Sequence, residues 1–185
     1  MVKPWTVSST RITYQDRWLT VRSDGCVKPD GKVLDPFHVL VNPPWVCIIA
    51  LSEAQEVILT REYRHGAGIV ATGLPGGGLL PREDPAAGAA RELAEETGYT
   101  CAIWRELGRA YANWSNHTNE IVFMLGSGAA LTTTQSLDEG EEIEVVVEPW
   151  REYMRRLTAA PAQAFHLAAA FLADRFLCEQ AAGRS

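Results

Sequence analysis

The chain has no stretch approaching the ~20 consecutive apolar residues of a membrane-spanning helix. Its richest run, Leu167-Ala168-Ala169-Ala170-Phe171-Leu172, is short and flanked by His166, Asp174 and Arg175. Cysteine is scarce: four residues, at positions 26, 47, 101 and 178, with no CxxC pair and no His/Cys cluster at zinc spacing. That pattern speaks against a disulfide scaffold or a structural zinc site, and reduced thiols are expected. Positive charge is also in the minority. Lys and Arg number 17 against 23 Asp and Glu, for a net charge of −6. Phosphate backbones attract basic surfaces, so non-specific nucleic-acid binding is disfavoured. A phosphorylated small molecule, held by a few arginines or by metal ions, is still compatible. The opening Met1-Val2-Lys3-Pro4-Trp5-Thr6 carries no long apolar segment, so a cytoplasmic location is expected. Internal repeats, low-complexity tracts and interdomain linkers are likewise absent.

What is present is ordinary globular material, 46% hydrophobic and 22% charged over 185 residues, which predicts a single domain with a real core. The first sixty residues read as strands. Trp18–Arg22 and Lys32–Leu34 flank Pro29-Asp30-Gly31, a turn signal in which Pro presets φ and Gly permits φ > 0. Phe37–Val41 follows. Trp45–Leu51 is nearly continuous in apolar residues and suits a strand buried on both faces. Glu56–Tyr63 pairs naturally with it across a short turn. After a Gly-rich stretch from Gly66 to Gly78 the pattern turns helical. Asp84 is a good N-cap, Pro85 sits at the first helical position and Gly98 stands where a C-cap belongs, which predicts a helix over 85–97. Further strands are expected at 121–125 and 143–147, and a last helix from Pro161 to Gln180.

The helix over 85–97 carries the informative residues. At ~100° per residue, Glu92, Glu95 and Glu96 fall within an arc of about 100°. Ala86, Ala90, Leu93 and Thr97 occupy the opposite side and can face the core. Like charges spaced i, i+3 and i+4 repel, so such clustering asks for a countercharge. Three carboxylates with no His or Cys nearby match hard divalent cations such as Mg²⁺ or Mn²⁺ better than zinc. Taken alone, Glu-x-x-Glu-Glu is also what a solvated acidic helix face looks like.

The surroundings are more specific. Gly77, five residues, Glu83, seven residues, then Arg91-Glu92-Leu93-x-Glu95-Glu96-x-Gly98-Tyr99 resembles a full Nudix box. Seven identities at fixed spacing arise by chance on the order of once in 10⁸ starting positions. The chain as a whole is most similar to the ADP-ribose pyrophosphatase and nucleoside diphosphate-sugar hydrolase subgroup. The resemblance implies an α/β/α sandwich with a mixed sheet, and attack of water on a diphosphate linked to another moiety X, assisted by Mg²⁺ or Mn²⁺. It implies metal ligation by Glu92, Glu95 and Glu96 and by the carbonyl of Gly76. Gly77 and Gly98 are structural positions of the motif. Glu83 and Arg91 are expected to pair and orient the helix, a supporting role that matters nearly as much as a ligand.

Beyond the box, the acidic segment Asp138-Glu139-Gly140-Glu141-Glu142 is similar to the loop that supplies a general base and a further ligand in this subgroup. By position Glu139 is the base and Glu141 the ligand, with Glu96 the competing base. Arg61-Glu62-Tyr63-Arg64 resembles a Gln-Tyr-Arg segment of these hydrolases, with Glu62 in place of the Gln. Arg64 matches an arginine that faces substrate phosphate, and Arg61 is a weaker candidate. Two departures concern the substrate. Gly73 stands where many ADP-ribose hydrolases carry Glu, and Trp114 stands where Pro-Gly is usual. Trp114 could stack on a base. Residues 1–41 resemble the subgroup's antiparallel extension, which implies a homodimer, with 42–185 as the Nudix core.

The leading expectation is therefore a metal-dependent hydrolase of a nucleoside diphosphate linked to X, with ADP-ribose or a related nucleotide sugar first. Another X–diphosphate is the alternative: a dinucleoside polyphosphate, NADH, a coenzyme A or a damaged nucleotide. A binding-only sensor of the same fold usually loses box carboxylates, and here all three stand with Arg91 and Glu83. An isoprenoid diphosphate isomerase needs a catalytic cysteine, and neither Cys47 nor Cys101 lies in a motif for one.

Overall fold

The computed structural model describes residues 1–183, which form two compact units. The first contains Met1–Pro44 and Tyr111–Glu120. Its strands β1 (Thr6–Gln15), β2 (Thr20–Val27) and β3 (Val33–Leu40) make an antiparallel sheet in that order. The expected turn at 28–32 is present, closed by the Lys28 N–H donating to the Lys32 carbonyl at 2.8 Å. Strand β1 falls within the first sixty residues that read as strands, but the sequence gives it no bounds; it is exposed along all ten residues and so has no buried face to impose an alternating pattern. Asp24, buried in β2, is satisfied by Thr10 at 2.5 Å and by the guanidinium of Arg22. Trp5, Val7, Ile12, Tyr14, Trp18 and Val33 all leave apolar surface in solvent. The segment 111–119 is tied to the end of β3, with the Leu40 N–H donating to the Asn116 carbonyl at 2.8 Å and the Thr118 N–H to the Leu40 carbonyl at 3.0 Å. It presents Trp114, which is 84% exposed.

The second unit, from Trp45 to Ala110 and from Ile121 onward, is built on a mixed sheet. Strand β4 (Trp45–Leu51) is its centre, with β5 (Glu56–Arg64) and β6 (Ile69–Gly73) following. Next come helix α1 (Pro85–Thr97), β7 (Tyr99–Thr100), β8 (Ile103–Tyr111), β9 (Glu120–Ser127), β10 (Ala130–Leu131) and β11 (Glu144–Pro149). Helices α2 (Trp150–Leu157) and α3 (Ala164–Ala182) close the chain. The sheet order is β11-β5-β4-β9-β8, with β4 and β9 parallel over all seven residues of β4. Strand β5 pairs with β4 only at Val57 and Ile58, then turns away to pair with β6 from Thr60 to Arg64. Loop 75–78 fills the edge of β4 that β5 leaves open: Ile48 N–H donates to the Pro75 carbonyl at 3.0 Å and Val46 N–H to that of Gly77 at 2.9 Å.

Side-chain alternation along β4 and β5 feeds two cores, one per face. Cys47, Ile49, Leu51, Val57 and Leu59 pack with Trp150, Tyr153 and Leu157 of α2 and with Ala169, Ala170 and Ala173 of α3. Val46, Ile48, Ala50 and Ile58 pack with Ala89 and Leu93 of α1. The result is the α/β/α sandwich with a mixed sheet that the sequence predicts. Helix α1 has the expected bounds: Asp84 accepts from the N–H groups of Ala86 and Ala87 at 3.0 and 3.3 Å, and Gly98 takes φ 74° in the cap. Helix α2 was missed by the sequence reading. Its buried residues Trp150, Tyr153 and Leu157 do follow i, i+3, i+7 spacing, but over only eight residues that include three arginines. Among the described residues no helix is long and apolar enough to cross a membrane, and all four cysteines are unpaired.

Candidate active site

Helix α1 is fixed by its apolar side. Leu93 and Ala89 are fully buried against β4 and β9, and burying a leucine is worth about 2 kcal/mol. That anchoring sets the direction in which Glu92, Glu95 and Glu96 leave the helix. Arg91 dominates their environment. Its Nε and Nη2 donate to the two carboxylate oxygens of Glu83 at 2.9 Å each, and Nη2 also reaches the Gly78 carbonyl at 3.1 Å. Its Nη1 donates to Glu92 at 2.9 Å and to Glu95 at 3.0 Å. Glu83 is held below the usual carboxylate range by these Arg91 bonds and by the Leu80 N–H.

Glu96 behaves differently. It is buried at 8% exposure and turns inward, accepting from the Gly76 N–H at 3.0 Å. Burial raises its pKa to about 8, the Gly76 N–H opposes the rise, and the charges of Glu92, Glu62 and Glu141 add to it. Glu92 is raised by burial, against the pull of Arg91. The loop beneath is shaped for this. Gly76 has φ 151°, and a Cβ there would fall on the Val46 carbonyl oxygen. A Cβ on Gly77 would stand 2.5 Å from the Glu92 carboxylate.

A countercharge was expected for the three box glutamates, and part of it comes from the chain itself, through Arg91. Among the described residues no three His, Cys, Asp or Glu side chains stand together tightly enough to form a cation cage in this arrangement. The reason is visible: Arg91 draws Glu92 and Glu95 to its own side while Glu96 bonds to the Gly76 backbone. The donor chemistry nonetheless fits a hard divalent cation. Glu62, Glu92, Glu96 and Glu141 face one another closely enough for their charges to repel, and they offer only oxygen. A buried carboxylate among like charges is the environment that a polyvalent cation relieves.

The remaining sequence candidates fall in three places. Glu141 is exposed at the turn Asp138–Glu141, where its side chain accepts from the Asp138 N–H at 3.0 Å, and its charge reaches the box helix. Glu139 is exposed on the same turn. Arg64 lies on the α1 face of β5, since alternation places Ile58, Thr60, Glu62 and Arg64 on one side. Arg61 lies on the opposite face and is tied to Glu144 at 3.2 Å and to Thr72 at 3.1 Å, so the fold does not bring it to the box carboxylates. Trp114 belongs to the other unit. The sequence reading missed Glu62 as a member of the carboxylate group. The signal available was its spacing, two residues before Arg64 and four after Ile58.

A model of the NUDIX domain matches residues 41–171. The chain belongs to the NUDIX domain family. Residues 5–40 match the nucleoside diphosphate sugar hydrolase N-terminal domain. This Nudix chain is 35% identical over 96 residues to the CMP-5'-(N-acetyl-N-hydroxy-3-aminopropyl)phosphonate hydrolase of Streptomyces rubellomurinus, covering 51% of the chain and 46% of that protein. It is 29% identical over 120 residues to the ADP-ribose pyrophosphatase of Bacillus subtilis, covering 64% of each. It is 26% identical over 139 residues to the methanol dehydrogenase activator of Bacillus methanolicus, covering 74% of each. The matches thus span about half of the first relative and under two thirds of the second. Among solved structures, an ADP compounds hydrolase superposes with a TM-score of 0.85 at 23% identity over 97% of both chains, and so shares the Nudix fold.

Proposed function

We propose that this Nudix chain is a pyrophosphohydrolase that cleaves the diphosphate linkage of a nucleoside diphosphate joined to X, with ADP-ribose or a related nucleotide sugar as X-bearing substrate. The observation that carries the reading is the intact carboxylate group, Glu92, Glu95, Glu96 and Glu141, set around a glycine loop and braced by the Glu83–Arg91 pair. The names of the pyrophosphatase and hydrolase relatives, and the match of residues 5–40 to an N-terminal domain of nucleoside diphosphate sugar hydrolases, favour this substrate class.

In this reading Glu92, Glu95, Glu96, Glu141 and the Gly76 carbonyl hold Mg²⁺ or Mn²⁺. A divalent ion held there would neutralise phosphate charge and lower the pKa of its bound water. Arg64 takes a phosphate oxygen through its guanidinium. Glu139, exposed at the tip of its turn, accepts the proton of the attacking water. Water adds to one phosphorus and the P–O–P bridge breaks, leaving two phosphomonoesters. Arg91 works from behind, keeping Glu92 and Glu95 oriented. The exposed apolar side chains of β1 and β3 suit a homodimer, and light scattering at micromolar concentration is expected to give about twice the 20.3 kDa chain mass.

The test is hydrolysis across a panel of ADP-ribose, ADP-glucose, GDP-mannose, NADH, diadenosine polyphosphates and oxidised nucleotides, with Mg²⁺ or Mn²⁺ and alkaline phosphatase as coupling enzyme. Cleavage of ADP-ribose or a sugar nucleotide that disappears in Glu95→Gln/Glu96→Gln supports the reading. Ligand-induced thermal shifts without cleavage of any member overturn it in favour of a binding module.

A further inference from the structure

Glu62 is held in an unusual position for a carboxylate without an assigned role. It sits on β5 with its side chain 17% exposed, paired with Ala71 of β6 in the stretch beyond the point where β5 leaves β4. Its Oε1 lies 2.6 Å from Nη2 of Arg64, on the same face of the strand. The two partners differ in freedom. The Glu62 side chain is three-quarters or more shielded, whereas the Arg64 side chain is 52% exposed. The shielded partner is fixed by its surroundings, so it sets the posture of the exposed one. Unrestrained, a solvated arginine samples many rotamers, and holding it still costs side-chain entropy. Only one corner of the guanidinium is engaged. Among the described residues, its other N–H groups take no protein acceptor, which leaves the opposite edge available for a planar, bidentate contact with phosphate. The negative charges of Glu96 and Glu141 also act on Glu62, and the Arg64 guanidinium is the positive charge that opposes them.

We infer that Glu62 is a positioning residue that presets Arg64 for a diphosphate oxygen. This rests on the hydrolase reading for its substrate class, but not for its test. The pair stores the arginine in its binding posture before substrate arrives, and substrate then pays none of that ordering cost. Glu62 itself touches neither substrate nor the reacting atoms.

The experiment is a double-mutant cycle with Glu62→Ala, Arg64→Ala and the double variant, read both as kcat and KM for ADP-ribose hydrolysis with Mg²⁺ and as calorimetric Kd for ADP-ribose in EDTA. Each single variant is expected to raise KM and Kd about tenfold with kcat within about threefold, and the double variant is expected to be no worse than Arg64→Ala alone. Glu62→Gln, which keeps the shape and one acceptor oxygen but loses the charge, is expected to fall between wild type and Glu62→Ala. It also carries the test should Glu62→Ala not fold. An unchanged KM in the Glu62 variants overturns the inference, as does a double variant whose loss equals the product of the singles. So does a Glu62→Ala variant whose kcat and Mn²⁺ affinity fall while KM holds, because Glu62 would then belong to the cation group. A wild type that binds ADP-ribose without cleaving it defeats the hydrolase reading and leaves the Kd cycle to decide on Glu62. Wild type that cleaves ADP-ribose with the Glu62 variants unaffected does the reverse.

Discussion

Arg91 grips Glu83 through both carboxylate oxygens, Nε to Oε1 and Nη2 to Oε2, each at 2.9 Å, while its third nitrogen spans Glu92 and Glu95. One side chain therefore ties the loop before α1 to the carboxylate face of α1. A lysine offers one ammonium and no planar fork, so it cannot satisfy Glu83 bidentately and hold the two glutamates at once. Arg91→Lys is expected to cost roughly 1–2 kcal/mol of unfolding free energy, since the pair is largely shielded and the bonds are charge-assisted. Urea denaturation measures it. A midpoint equal to wild type would mean that the grip contributes nothing to stability. Turnover in the same variant is expected to fall by more than stability accounts for, because Glu92 and Glu95 lose their orientation.

The loop under the helix is argued from space and backbone together. A Cβ on Gly76 would land on the Val46 carbonyl oxygen, and its φ of 151° strains any other residue. The Gly76 N–H is also the hydrogen-bond donor to Glu96. Gly76→Ala must push the loop off the β4 edge and strip that donor away. A loss of about 3 kcal/mol or more is expected, together with loss of activity. Melting by circular dichroism checks it, and a Tm within 2 °C of wild type, on the order of a few tenths of a kcal/mol, would show the loop to be more compliant than this.

The reach of the sequence is uneven for physical reasons. Asp84, Pro85 and Gly98 bound α1 to the residue because caps act locally, through side chain to backbone bonds within a turn. The two-faced run of β4 was legible because both of its faces are buried. The Glu83–Arg91 pairing was legible through the motif resemblance. Long-range placements were not. Arg61 and Arg64 look equivalent in sequence, and only the fold pairs one with Glu144 and the other with Glu62. Glu62 reads as a surface charge until the fold sets Glu96 and Glu141 beside it. Strand β1 has no buried side to write into its pattern. The carboxylate group was legible as residue types, but not the division by which Arg91 holds Glu92 and Glu95 apart from Glu96.

The two candidate bases stand in opposite surroundings. Glu96 is buried and bonded to backbone, whereas Glu139 is exposed on its turn. A group that must both meet water and release a proton to solvent is better served by the second. Glu139→Gln is expected to lower kcat by about 10²–10³ with little change in Mn²⁺ affinity, and Glu96→Gln to lower both. Steady-state kinetics with calorimetric Mn²⁺ titration separates the cases. Near-wild-type turnover in Glu139→Gln, with turnover lost in Glu96→Gln, would move the base to the helix.

Burial of His166 couples the stability of the fold to pH on the acid side. Its imidazole is buried at 8% exposure at the start of α3, with the ring of Phe165 edge-on at 4.9 Å, and it occupies the space beside Gly73 where a side chain would begin 2.5 Å from its ring. Burial first, and the positive charge of Arg64 second, lower its pKa from 6.5 to about 4. The folded state therefore holds this histidine neutral, while the unfolded chain takes up a proton below about pH 6.5. The sign follows: its contribution to stability is intact above pH 6.5 and is lost progressively as the pH falls toward 4. The full difference is about 3 kcal/mol. His166→Gln, which cannot charge, is expected to be somewhat less stable than wild type at pH 8 through imperfect packing. It is expected to lose less stability than wild type between pH 6.5 and 4.5, so that the two urea midpoints converge. Parallel curves across that range would mean that His166 is protonated in the folded protein. Gly73→Glu, which puts a carboxylate at the position where the resemblance to many ADP-ribose hydrolases implies one, collides with the same ring. It is expected to destabilise wild type strongly and the smaller His166→Ala background less, because the cavity left by the imidazole lies where the new side chain must go.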